Sequence, residues 1–194
     1  MKNKYNEIKK ANVLMIFFEA NTFKKEFNRK VIEFRSKEFQ RRVHDEYPIP
    51  YCITLAAFAC ELFIKFLLGV REIKNDQNAE IIRIHKGHNL KFLYSKLPSE
   101  YKKSILNKID EKKLKEILER NADSFMEWRY IYESKEDNVI FTYDYIKQLI
   151  DVLYEISDKE KNNTFFDVDK ATDVVMEGTD ELNAKALISY YEEI

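Results

Sequence analysis

A chain of 194 residues, 45% hydrophobic and 35% charged, has the size of one domain, or of one domain with an appendage, and enough apolar residues for a sizeable core. The charged fraction argues against a membrane protein, and three Gly and three Pro leave few turn formers, so long elements with few breaks are expected. The net charge of −1 conceals an asymmetry: residues 1–42 carry twelve Lys/Arg against five Asp/Glu, and residues 158–194 carry four against ten. The basic arm can meet the acidic tail or an external polyanion such as RNA; the plainer reading is solvated helix faces.

Residues 4–42 read as one long or once-broken helix. Ile8, Ala11, Leu14, Phe17, Phe18, Phe27, Val31 and Phe34 recur at threes and fours, with Asn21-Thr22 as the expected break. No signal peptide is expected, because the first apolar run, Val13–Phe18, meets Glu19. Residues 43–50 form a connector. Pro50 suits the first turn of a second helix, whose run YCITLAAFACELFIKFLLG is expected to stop at Gly69. Apolar nearly all round, this helix is expected at the centre of a bundle, and Glu61 and Lys65 argue for a buried helix before a membrane span. Cys52 and Cys60 lie on it eight residues apart, about 12 Å along a helix, too far for a disulfide; they read as small buried residues in a reducing, cytoplasmic compartment.

Residues 70–87 are polar and read as a loop. His88-Asn89 then leads into a short helix ended by Pro98. Ser99 caps another short helix to about Lys108, and Asp110 caps a helix spanning 111–134 with Arg129 inside its apolar stripe. A break at Asp137-Asn138 precedes a last core helix from about Thr142 to Lys159. Residues 160–178 read as loop, and Thr179-Asp180 caps an amphipathic tail helix with Leu187, Tyr190 and Tyr191. The expected division is a helical bundle over 1–160 and an acidic tail over 161–194, in an all-α fold.

Several chemistries lack their motifs: there is no glycine-rich phosphate loop, no Walker-type lysine and no G-x-S-x-G elbow. His85 and His88 form an H-x-x-H pair without a convincing third ligand, so no metal and no cofactor is expected. What remains is a polar set on apolar segments. Glu61 and Lys65 stand one helical turn apart, a spacing that favours an ion pair. Glu61 is expected within hydrogen-bonding or ion-pair reach of Arg129 or His88, with Arg129 the best candidate and Glu133 bracing its guanidinium; His88 is also a candidate acid or base. The set reads either as a buried network that fixes helix register or as an active or ligand site.

Three segments together resemble the HEPN superfamily of helical bundles: LAAFACELFIKFLLG with Glu61 and Lys65, GHNLKFLYSKL over 87–97, and ADSFMEWRYIYE over 122–133 with Arg129, Tyr130 and Glu133. The resemblance covers about residues 50–160. It implies a bundle of four or five helices that often dimerises, and a role in prokaryotic defence of the abortive-infection or toxin–antitoxin kind. Active members cut RNA without a metal, using R-x4-6-H. Arg120-Asn121 begins like that motif, but Phe125, Met126 and Glu127 occupy the histidine positions; Arg83 and His88 match the spacing ahead of a short helix. On this basis His88, Arg129 and Glu61 are the expected catalytic residues, and Lys65, Tyr130 and Glu133 the expected substrate-binding ones. The expected partners are RNA, a second copy of the chain, and an antitoxin or phage protein, with no membrane. The alternative is a non-catalytic HEPN-like module that binds RNA, a nucleotide or a protein.

Overall fold

The computed structural model describes residues 4–36, 49–122 and 143–166. In chain order these form β1 (Tyr5–Lys9), α1 (Lys10–Arg35), α2 (Ile49–Asn75), β2 (Ile81–His85), α3 (Leu90–Lys96), α4 (Ser99–Leu106), α5 (Glu111–Arg120) and α6 (Tyr143–Phe165). The described chain is mostly helical with one small antiparallel sheet, in which Tyr5 pairs with His85 and Lys9 with Ile81.

The long helices follow the expected periodicity. On α1, Val13, Phe17, Ala20, Phe27 and Val31 are buried, one face of a 3.6-residue period. Asn21-Thr22 does not break it: the helix runs on unbroken, with the Thr22 hydroxyl donating to the Phe18 carbonyl at 3.0 Å. Helix α2 is the centre: Cys52, Ala56, Cys60, Phe63, Ile64 and Leu67 are all fully buried. By length and composition its stretch Tyr51–Asn75 passes for a membrane span, but 78% of that stretch's most apolar window is buried against the rest of the domain. Helix α6 contributes Ile146, Leu149, Ile150 and Leu153 to the same core.

Four expectations are corrected. Tyr5–Lys9 is a strand and not the start of α1, because its partner β2 supplies an inward-facing pair, Ile82 and Ile84, that fastens it to α2. Residues 70–87 are not a loop: α2 continues to Asn75, a turn follows in which Asp76 Oδ1 accepts from the Asn78 amide at 3.1 Å, and β2 begins at Ile81. Gly69 therefore does not end a helix. A Cβ there would lie 2.8 Å from Val13 Cγ1 and 3.4 Å from Ile84 Cδ1, so glycine lets α1 and β2 close onto α2. Helix α5 ends at Arg120, with Asn121 as its C-cap, rather than at 134.

Smaller shifts have local causes. Ser99 is the first helical residue of α4, after Pro98 at the cap position. Helix α6 runs to Phe165, past the expected end at Lys159, because Phe165 is itself a core residue. The expected connector at 43–48, the break at Asp137-Asn138 and the tail helix from Asp180 to Ile194 lie outside the described residues.

Candidate functional site

Glu61 sits in the middle of α2, where neighbours on every side are apolar, and its side chain is 3% exposed. A carboxylate so placed needs partners, because desolvation otherwise outweighs any gain. It has two. Lys65, one turn on, brings Nζ to 2.7 Å from Oε1. His88 brings Nδ1 to 3.0 Å from both Oε1 and Oε2. A carboxylate only accepts, so the Nδ1 proton is donated to Glu61.

The approach of His88 is built by the turn between β2 and α3. Gly87 has φ +103°, a left-handed conformation that side chains resist, and nothing within 4 Å would meet a Cβ. The reason for glycine is thus the backbone alone. Past it, Asn89 caps α3 by accepting from the Phe92 amide at 2.7 Å, which fixes the residue next to His88. The Leu90 amide donates to the Ala122 carbonyl at 2.8 Å, so the end of α5 is tied to the same place.

The result is a graded set. Glu61 is buried, Lys65 is 13% exposed, and the His88 side chain is 43% exposed. The imidazole is oriented from behind by a buried carboxylate while its ring reaches the surface, the arrangement in which a carboxylate selects a tautomer and the other nitrogen, Nε2, handles proton transfer. Lys65 supplies a fixed positive charge beside the same carboxylate.

The structure brings together three of the six residues expected from sequence: Glu61, Lys65 and His88. Arg129, Tyr130 and Glu133 lie outside the described residues. Arg120 pairs with Glu116 on its own helix at 2.7 Å, and Arg83 with Glu7 across the sheet at 3.3 Å. The spacing match between Arg83 and His88 therefore does not translate into a shared set of partners. His85 and His88 also part company. His85 packs tilted against Tyr5 and edge-on to Phe92, while His88 turns to Glu61. Among the described residues no three His, Cys, Asp or Glu side chains gather as metal ligands.

Sequence reasoning missed the surroundings of His85. Tyr5 and Phe92 flank it, and Lys4, Lys86 and Lys96 stand about it in a cleft of about 390 Å³. Reading 4–9 as helix and 70–87 as loop hid this, and the alternation in IIRIH was the available signal.

No protein-family model, curated protein or solved structure matches the chain.

Proposed function

We propose that the Glu61–His88 pair is a proton-transfer site for cleavage of RNA, in a HEPN-like defence protein of the abortive-infection or toxin–antitoxin kind. The observation that carries the reading is the bidentate contact of His88 Nδ1 with a buried carboxylate, with the ring itself 43% exposed. Such an imidazole can take the proton of a ribose 2′-hydroxyl or deliver one to the leaving oxygen through Nε2. Lys65 and Arg129 are assigned to the phosphate, Tyr130 and Glu133 to substrate placement, and the chemistry needs no metal. The protein acts as a homodimer in the cytoplasm, and an antitoxin or phage protein controls it.

The test is incubation of purified protein with total RNA, with and without chelator, as wild type, His88→Ala and Arg129→Ala. Cleavage that survives chelator and disappears in both variants supports the proposal. Cleavage that is undiminished in His88→Ala removes it.

A second reading, a module that binds RNA, a nucleotide or a protein without cutting, is favoured by one feature. Phe125, Met126 and Glu127 stand where a histidine would follow Arg120, and Arg120 is engaged with Glu116. Binding without cleavage at any concentration would select it.

A further inference from the structure

The sheet and the start of α3 build a second feature, apart from Glu61. Tyr5 and His85 are cross-strand partners with ring centroids 4.5 Å apart, and Phe92 on α3 stands edge-on to His85 at 5.6 Å. Tyr5 is 37% exposed and Phe92 44%, so this row of rings reaches solvent instead of closing into the core. The register that aligns them is locked at its end, where the Lys86 amide donates to the Lys4 carbonyl at 2.9 Å.

Cations surround the rings. Lys4, Lys86 and Lys96 line the cleft on one side of His85, and Lys96 Nζ stands 5.0 Å from the centre of the Phe92 ring. A second cleft of about 330 Å³ shares Tyr5, His85 and Lys96, and adds Arg71, Arg83 and Glu72. Arg83 is matched by Glu7. Lys4, Lys86, Lys96 and Arg71 make no ion pair with a carboxylate among the described residues, and Glu72 is the one acidic residue lining either cleft. Burial, with Lys96 adding to it, lowers the His85 pKa below the ordinary imidazole value, which keeps the ring neutral and suited to stacking at neutral pH.

Exposed rings bordered by unmatched cations fit a ligand with a flat face and a negative charge. We propose that the double cleft around His85 is a nucleotide subsite, in which a base stacks on the exposed Tyr5 or Phe92 ring and its phosphate meets Lys96 with Lys4, Lys86 or Arg71. The nucleotide is either free or one unit of a single-stranded RNA. His85 and His88 are three residues apart, so their Cα atoms lie within about 11 Å. The subsite stands on its own residues and does not require that His88 cut.

The experiment uses the full chain carrying His88→Ala, so that cleavage cannot consume the probe. Binding of a fluorescein-labelled oligouridylate is followed by anisotropy, and binding of radiolabelled AMP by equilibrium dialysis. Tyr5→Ala or Phe92→Ala should weaken binding roughly fivefold to a hundredfold, the range for losing one stacked base. Lys96→Gln should weaken it and reduce the dependence on salt by about one counterion. Lys147→Gln, on α6, should leave it unchanged, and circular dichroism of each variant should match the parent. Saturable binding of AMP identifies a free nucleotide as the ligand; binding of the oligonucleotide alone identifies the strand. Binding of neither overturns the proposal, as does full affinity in both ring variants, or competition by inorganic phosphate as effective as by AMP. Full affinity in both ring variants, with wild-type RNA cleavage intact, would remove this subsite and leave the Glu61–His88 proposal standing; ring-dependent binding in a protein that never cuts would do the reverse.

Discussion

His88 Nδ1 lies 3.0 Å from each oxygen of Glu61, a contact made across 27 residues of sequence between the middle of α2 and the turn before α3. It ties a buried carboxylate to a half-exposed ring, so a group in the core orients one at the surface.

The first consequence is energetic. Lys65→Ala should destabilise the domain by about 3 kcal/mol, the low end for breaking a buried pair, because His88 still faces Glu61. Replacing Glu61 and Lys65 together by leucine should cost far less, since no charge is then left alone in the core. Urea unfolding of the wild type and the two variants measures this. If Lys65→Ala and the double variant cost the same, the pair is not coupled.

A second expectation separates folding from function. His88→Ala should leave the melting temperature close to wild type, because the ring is 43% exposed and Lys65 still partners Glu61. RNA cleavage, if present in the wild type, should fall by at least about a hundredfold, the usual contribution of a positioned acid or base. Product analysis on a defined RNA substrate, with and without chelator, gives the answer.

Gly69→Ala tests the closeness of α1 and α2. Alanine in a helix interior gains about 1 kcal/mol over glycine. Here its Cβ would press on Val13, a buried and β-branched side chain that cannot swing away. Overpacking costs typically 1–3 kcal/mol, so a net loss of about 1 kcal/mol is expected. Val13→Ala in the same chain should remove the penalty, and Gly69→Ala should then become stabilising. Thermal unfolding of the four proteins closes this cycle.

His85 should titrate below an ordinary imidazole in a proton NMR titration, because burial disfavours the cation and Lys96 repels it, while Glu72 works weakly the other way. Lys96→Gln should therefore raise its midpoint and Glu72→Gln should lower it further. Since the folded state resists protonation, this group favours the fold above the unfolded imidazole pKa, near 6.5, and its contribution falls as pH drops below that value. A midpoint for His85 above that of a free histidine would contradict the placement.

Both cysteines should resist alkylation in the native protein at pH 7.5. Burial raises the Cys52 thiol to about 11 and the Cys60 thiol higher still, so neither is a thiolate at that pH, and neither is reachable. Iodoacetamide followed by mass spectrometry should find no adduct until denaturant is added. Rapid labelling of Cys60 in native protein would mean that α2 is not the centre of the bundle.

Sequence period alone determined the long helices, the central place of α2 and the Glu61–Lys65 pair, because each depends on neighbours three or four residues away along one helix. It failed where a distant partner outvoted a local rule. Gly69 has the look of a terminator, yet Val13 and Ile84 make it a contact point. Tyr5–Lys9 carries no strong preference of its own and becomes a strand through pairing with Ile81–His85. Only the tertiary structure could show that His88 reaches Glu61 from a separate element, and that Tyr5, His85 and Phe92 form one wall. Those contacts depend on how the chain reverses at Gly87 and how β1 and α2 pack, and a one-dimensional period holds no information about which separate elements come to face each other.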